Sequence, residues 1–273
     1  MFISPMLLSQ TDNPFDDHDY LAELKLDGIR LMLSTVGGSV KLFTRFKTDV
    51  THRFPELHSL QLPKGIILDG EIVLTDDQGK PDYEAVQTRL LNSNDNRMIS
   101  YCAFDVLYYN GKSVVQLSLI ERKALLNELI PEDSPLLSKV LSVENSGIAL
   151  FELCRIHDLE GIVMKHKDSR YEINKRSQAW LKVLNYSYED VWIKGYRKDK
   201  KSLLVSFENG DTAGLLENGV TSKIMNEVYQ NTAHLKNHLD RDVVLFDAPP
   251  LKCRVKYTKS RKMREPQFIE FVT

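Results

Sequence analysis

Cysteine is scarce in this chain. Cys102, Cys154 and Cys253 are odd in number and far apart among 273 residues, which excludes a disulfide framework or zinc knuckle built from them alone and fits a reduced, cytoplasmic setting. A secretory leader is also missing: Met1 to Leu8 is apolar, but no basic residue leads it, Pro5 interrupts it, and the acidic stretch Asp12 to Asp19 follows. No uninterrupted apolar run approaches the roughly 18 residues needed to cross a bilayer, so a soluble protein is expected. Neither charge sign is in excess, with 36 Lys plus Arg against 38 Asp plus Glu. That balance excludes only a uniformly basic protein, because a binding face depends on where charges sit. Repeats and low-complexity tracts are lacking, and a chain that is 42% hydrophobic and 27% charged is neither disordered nor collagen-like. At about 150 residues per domain, the length suits one large domain or two smaller ones.

Short apolar runs broken by Gly, Asp or Asn predict strands at Ile29 to Ser34, Ile66 to Leu74, Tyr101 to Tyr109, Gly161 to Lys165 and Trp180 to Leu184. Helical spacing marks Tyr83 to Leu91, Leu119 to Ile130 and Ile148 to Leu159. There is no regular βαβ alternation, and Val36-Gly37-Gly38-Ser39 suits a hairpin, so an α+β domain of largely antiparallel sheets is expected. After Leu184 the pattern changes to short strands at Val191 to Tyr196, Ser202 to Phe207, Thr212 to Leu216, Asp242 to Phe246 and Arg254 to Tyr257, with one helix at Thr221 to Gln230. This suggests a small barrel. The boundary is expected near Asn185, giving domains 1–185 and 186–273.

Several strings carry chemistry. In Lys25-Leu26-Asp27-Gly28-Ile29-Arg30 a lysine nucleophile would need neighbours that lower its pKa and a turn that exposes its amine. Gly28 would let the backbone approach a ligand, and Arg30 could bind a phosphate with two hydrogen bonds. Taken alone, the same string is also a common surface turn. Leu68-Asp69-Gly70-Glu71-Ile72-Val73 sets Glu71 in an apolar run. Either Asp69-Gly70 is a hairpin turn with Glu71 in water, or Glu71 faces a cleft and holds a ribose hydroxyl or a metal. Phe104, in Tyr101 to Leu107, belongs in the core or stacked on a base. Glu160-Gly161-Ile162-Val163-Met164-Lys165 and Trp180-Leu181-Lys182-Val183 place lysines within apolar runs, where a cation is costly unless paired or beside a bound phosphate. Together these acids and lysines suggest one metal-assisted phosphate site.

The order and content of these strings resemble the covalent nucleotidyltransferases, specifically the ATP-dependent DNA ligases of minimal, phage or prophage type. Lys25 to Arg30 matches the Lys-x-Asp-Gly-x-Arg nucleophile motif; Leu42-Phe43-Thr44-Arg45, Asp49-Val50-Thr51 and Phe54-Pro55-Glu56-Leu57 match the next segment. The Asp-Gly-Glu, Phe-Asp and Glu-Gly-x-Val-x-Lys strings follow in family order, and Tyr83 to Arg89 resembles a helix carried between the middle motifs. The resemblance covers most of the chain. It implies an adenylation domain of antiparallel sheets with helices, ATP-grasp-like, followed by an OB-fold. It also implies that Lys25 attacks the α-phosphate of ATP, expels pyrophosphate and becomes lysine–AMP, with Lys165 and Lys182 neutralising phosphate charge. By the same resemblance Glu160 and Glu71 would hold Mg2+ or Mn2+, Glu71 the ribose, Phe104 the adenine and Glu23 its amino group. Arg30 and Arg45 would handle phosphates of nicked double-stranded DNA.

One departure stands out: where family members often have Lys-x-Lys, the second lysine is Leu184, so Lys182 and Lys165 must suffice or another cation such as Lys194 must reach in. Lys252, Arg254, Lys256, Lys259, Arg261, Lys262 and Arg264 form a run with no acid, whereas residues 1–24 hold five acids and no Lys or Arg. The near-neutral total therefore conceals segregation. Tyr257 among these cations, and Arg264-Glu265-Pro266-Gln267-Phe268 resembling the family's closing Arg-x-Pro-x-Phe, suit a DNA backbone surface with Lys256 and Arg264 as contacts; a solvated charged hairpin is the plainer alternative. The expected protein is a monomer with a hinge near Asn185. The rival readings are an RNA ligase or capping-type nucleotidyltransferase, and a non-catalytic DNA-binding homologue. An NAD-dependent ligase fits less well, since only 24 residues precede Lys25 and zinc-ligand cysteines are absent.

Overall fold

Ile29-Arg30-Leu31-Met32-Leu33-Ser34 has apolar residues on both sides of an extended chain, as a strand covered on two faces requires. The computed structural model describes all residues except 93–94, 199, 234–236, 241, 248–250, 259–262 and 273, and for 237–240 and 264 the backbone alone. Its contacts divide the chain into two units, Met1–Leu184 and Asn185–Thr273.

In the first unit the strands are Leu7–Gln10 (β1), Tyr20–Leu24 (β2), Ile29–Ser34 (β3), Lys41–Thr44 (β4), Ile67–Val73 (β5), Ser100–Tyr109 (β6), Lys112–Ser113 (β7), Leu137–Lys139 (β8), Ser142–Glu144 (β9), Gly161–His166 (β10) and Arg176–Leu184 (β11); the helices are Tyr83–Leu91 (α1), Leu119–Leu129 (α2) and Gly147–Ile156 (α3). Among the described residues they form one sheet in the order β1-β11-β10-β2-β9 and another in the order β4-β3-β5-β6-β7, with β8 beside β6. The β1–β11 and β6–β8 pairs are parallel and the others antiparallel, so the expected α+β class with largely antiparallel sheets is observed.

Strand alternation sorts the cores. Ala22, Ile162, Met164 and Val183 on one face of the first sheet pack with Cys154 of α3. On its other face Leu21 and Trp180 meet Met32, Ile67 and Leu107 of the second sheet. Leu31, Leu33, Leu68 and Ile72 turn away from that layer toward Val86 of α1. The unit is therefore layered, and polar residues drawn into the layer between the sheets form the site below.

The second unit comprises Tyr186–Arg197 (β12), Leu203–Ser206 (β13), Thr212–Leu216 (β14), Asn237–Asp240 (β15), Val243–Phe246 (β16), Leu251–Thr258 (β17), Arg264–Val272 (β18) and the helix Ser222–Thr232 (α4). The long β12 pairs with β13 and β16 toward its end and with β17 along its first part. The Thr221 side chain accepts the Ile224 amide and caps α4. Val191, Ile193, Val228, Cys253, Val255 and Phe268 build this unit's own core. No helix among the described residues is long and apolar enough to cross a membrane.

The strongly apolar strands agree with expectation in position. The short β1, β4, β7, β8 and β9 span only two to four residues, too few for an alternation to register. The possible Asp69-Gly70 turn lies instead in the middle of β5, with Asp69 fully buried.

Candidate active site

Lys25 leaves β2 with its amide donating to the Gly161 carbonyl at 2.9 Å, so the end of β2 is pinned to the start of β10. Glu160, one residue earlier, is thereby brought to Lys25, the nucleophile expected from the sequence: Lys25 Nζ lies 2.6 Å from Glu160 Oε2. Two glycines make the approach possible. Gly161 has φ +144°, and a Cβ there would sit 2.1 Å from the Val183 carbonyl oxygen; one on Gly28 would sit 2.1 Å from that of Ile72. Pressing the Gly28 turn onto β5 also places it beside Glu71, whose Cγ would lie 2.9 Å from that Cβ.

Glu71 is half-buried. Burial pushes its carboxyl up to about 8, with Lys25 and Arg30 opposing and Glu160 and Asp69 reinforcing the rise. The folded protein therefore holds a proton that the unfolded chain releases near 4.5. This contribution to stability is complete below the unfolded value and is lost as pH climbs toward about 8. Glu71→Gln should accordingly melt higher than wild type at about pH 8.5 and nearly with it at about pH 4.5. Melting curves across that range test this, and an equal offset at every pH would refute it.

On the layer-facing side of the first sheet, Glu23, Val163 and Lys182 stand in one cross-strand row, and Lys165 is two residues along β10 from Val163. Glu23 is 1% exposed. Its Oε2 accepts from Lys165 Nζ at 2.6 Å, and its Oε1 accepts from Ser142 Oγ at 2.8 Å and pairs with Lys123 of α2. Burial would raise this carboxyl, but the two lysines outweigh it and hold it below the usual range. Burial pulls Lys165 down to about 8 against the attraction of Glu23.

Phe104 owes its position to a bulge. Asp69 pairs with Asp105 and Gly70 with Ala103, leaving Phe104 as the extra residue of β6. Its half-buried ring lies under two cations, the Lys165 ammonium at 4.5 Å and the Arg30 guanidinium at 5.2 Å. Arg30 is clamped by Asp69 through two bonds of 2.9 and 2.6 Å, and Tyr171 Oη donates to Asp69 at 2.6 Å. Burial lowers the Arg30 pKa, and Asp69 more than restores it.

Asp69, Tyr171 and Lys123 also belong to this cluster, although the residue order alone does not assign them to it. The Arg122-Lys123 pair inside the apolar spacing of α2 was the available signal: Arg122 is fully buried against Asp105, with bonds of 2.8 and 2.8 Å. Leu184, on the same strand face as Lys182, is 8% exposed.

Of the expected DNA contacts, Arg30 belongs to this cluster. Arg45 is exposed in the turn after β4. In the second unit Lys256 Nζ lies 4.7 Å from the Tyr186 ring centroid, and Lys252 stands over Trp192. Arg254 is bound by Asp190 and Glu270, so acids on neighbouring strands offset part of a run that is purely basic in sequence. Lys194 donates to the Gly210 carbonyl within this unit. Lys259, Arg261 and Lys262 lie outside the described residues, as does the side chain of Arg264.

The site suits an adenine nucleotide and a divalent cation. Buried Lys165 and half-buried Lys182 offer positive charge on one sheet face. Among the described residues no cluster of three or more His, Cys, Asp or Glu is arranged to hold a metal. Glu71 and Glu160 are nonetheless close enough for Glu160 to raise the Glu71 pKa, and once Glu71 gives up its proton, two carboxylates completed by water and substrate phosphates are a donor set that Mg2+ accepts.

Residues 5–183 match the family described as ATP dependent DNA ligase domain. The SPbeta prophage-derived DNA ligase-like protein LigB of Bacillus subtilis (strain 168) is 41% identical over 271 residues, 98% of each chain. The multifunctional non-homologous end joining protein LigD of Pseudomonas aeruginosa is 32% identical over 206 residues, which is 74% of this chain but 24% of that longer protein. Among solved structures, a mycobacterial DNA ligase D complexed with ATP and MES superposes with a TM-score of 0.65 at 26% identity, covering 99% of this chain and 95% of the other. A Lig E DNA ligase gives 0.72 at 19% identity over the full length of both and shares the fold.

Proposed function

Because the chain belongs to the ATP-dependent DNA ligase family, we propose that this enzyme seals nicks in duplex DNA through a covalent lysine–AMP. The observation that carries the proposal is the pairing of Lys25 with Glu160 beside Glu71, in the same unit as the sheet face that holds Lys165 and Lys182. Lys25 Nζ attacks the α-phosphorus of ATP; its bond to AMP forms, the bond to pyrophosphate breaks, and the amine loses a proton. The DNA 5′-phosphate then displaces Lys25 from AMP, and the 3′-hydroxyl displaces AMP from the adenylated 5′-phosphate.

The chain's residues divide this work. Glu160 holds the Lys25 ammonium until substrate enters, and Glu71 and Glu160 would hold Mg2+ or Mn2+. That cation, when bound, neutralises phosphate charge. Glu71 also reaches toward the ribose, Phe104 offers its ring to adenine, and Glu23 is fixed by Lys165, Lys123 and Ser142 to read the adenine amino group. Lys182 stabilises charge on the α-phosphate, where preorganised cations act most strongly, and Lys165 would join it on leaving Glu23. Asp69 and Tyr171 set the guanidinium of Arg30, so we assign it to orient the pocket and the nick through that clamp. The second unit supports an OB-fold reading, with its long β12, its three strand partners and its helix between β14 and β15. Lys256 and Arg264 there would meet the DNA backbone. We further propose that the enzyme acts as a monomer in the cytoplasm.

Incubation with α-labelled ATP or GTP and magnesium tests the reaction class: label from ATP alone supports the ligase, whereas label from GTP would favour a capping-type transferase. In the same assay Lys182→Ala should lower enzyme–AMP formation by roughly 100-fold, because Leu184 supplies no second cation. Labelling of that variant at the wild-type rate would remove Lys182 from the chemistry.

A further inference from the structure

We propose that Phe46, flanked by Arg45 and Lys47, is a contact surface for DNA at the nick: the ring packs on the apolar face of a nucleoside while the two cations hold neighbouring phosphates. This deepens the ligase reading and rests on it. Phe46 is 75% exposed. A single exposed aromatic is ordinary in a soluble protein, and three features set this one apart.

The turn is held by its own backbone. The Thr44 amide donates to the Thr48 carbonyl and the Lys47 amide to the Thr44 carbonyl, each at 2.9 Å, while Thr44 Oγ1 accepts from the amides of Phe46 and Thr48. Lys47 takes the left-handed φ of +68°, and Phe43 bridges to Asp49 across the base of the turn. The ring is thus presented outward by a defined loop, with the Arg45 guanidinium 4.6 Å from its centroid.

The surroundings are cationic. Residues 41–53 include Lys41, Arg45, Lys47, His52 and Arg53 against Asp49 alone. An aromatic ring among Lys and Arg is the composition that binds nucleic acid through stacking and phosphate contacts together. A helical or strand-like protein partner would instead call for an apolar groove or a free sheet edge.

Position supplies the third feature. Leu31 of β3 faces Thr44 of β4, while Ile29 and Arg30 face Ile72 and Glu71 of β5. The Arg45–Lys47 turn therefore projects from the end of the sheet where the Lys25–Gly28 turn enters β3, on the side of the Lys25–Glu160 pair. DNA delivered to Lys25 passes this end. A nick interrupts one backbone, so a base-pair step there opens more readily to an apolar side chain than a step in intact duplex.

The test uses a nicked duplex ending in a 3′-dideoxynucleotide, which binds but cannot be sealed, and an intact duplex of the same sequence. Affinity is read by fluorescence anisotropy at several salt concentrations, with 2-aminopurine beside the nick as a second signal. Phe46→Ala should weaken binding to the nicked duplex roughly tenfold, with a smaller loss on the intact one, and should dim the 2-aminopurine response. It should leave the slope of log affinity against log salt unaltered, whereas Arg45→Ala should flatten that slope by about 0.9. Phe46→Trp should bind within about twofold of wild type, since it keeps a stacking face. Because the ring is exposed, melting temperature checks that the variants are folded. Unchanged affinity in Phe46→Ala, or equal losses on nicked and intact duplex, would overturn the proposal. The two failures separate: no ATP-derived label on wild type removes the ligase reading, while a labelled wild type whose Phe46→Ala variant binds the nick as before removes only the role of Phe46.

Discussion

Lys25→Ala is expected to take no label from α-labelled ATP and to seal nicks at least about 1000-fold more slowly than wild type, since removal of a nucleophile eliminates the covalent route. The variant should still close a nick whose 5′-phosphate already carries AMP, because there the 3′-hydroxyl is the attacking group and the lysine has no bond to form. Its fold should survive: Lys25 is partly exposed, and its backbone bond to Gly161 does not involve the side chain. Losing Lys25 frees Glu160 and removes the foremost charge that lowers the Glu71 pKa, so metal-independent melting at neutral pH reports that change separately. A covalent adenylate on Lys25→Ala, retained through denaturation, would show that another residue is the nucleophile.

Asp105→Ala should be the most damaging substitution to stability, at about 3 to 5 kcal/mol. Asp105 and Arg122 are both fully shielded from water, and Arg122 Nη1 also donates to the Leu117 and Ser169 carbonyls at 2.7 and 2.9 Å. Every side of the guanidinium is thus engaged, and deleting the carboxylate leaves a cation with no route to solvent. In a domain of this size the melting temperature should fall by roughly 10 °C. The double variant Asp105→Leu with Arg122→Met should recover most of the loss, because replacing a buried pair by apolar residues of similar volume is often near neutral. The same pair docks α2 onto β6, and α2 carries Lys123 to Glu23. Asp105→Ala should therefore also weaken ATP use below its melting transition. A single variant that melts within about 1 °C of wild type would refute this account.

Much of this molecule is legible from residue order. Strands β3, β5, β6 and β10 are long apolar runs, and their periodicity marks them without tertiary information. The helix Leu119–Leu129 begins with Ser118 and Glu121, which cap each other's backbone amides, so its start is also written locally. The candidate site residues are visible for a similar reason: Lys25, Glu71, Lys165 and Lys182 are charges in apolar company, which a chain tolerates only where they are paired or used.

The partners of those charges could not be read in the same way. Asp69-Gly70 has the composition of a turn, yet β5 runs straight through it because Tyr101 lies across Gly70 and hydrogen-bonds the Leu31 carbonyl. Lys123 looks like a surface residue of a helix and is buried against Glu23, 100 positions away. The basic run from Lys252 to Arg264 contains no acid, but antiparallel pairing brings Asp190 and Glu270 to Arg254. The sequence by itself determined the α+β class, the sites of the major strands and the charged residues set in apolar company, because these depend on periodicity and on local charge in apolar context. Only the tertiary structure decided which carboxylate meets which cation and which aromatic stays in water, because strand register and sheet packing join residues whose separation along the chain carries no record of their contact.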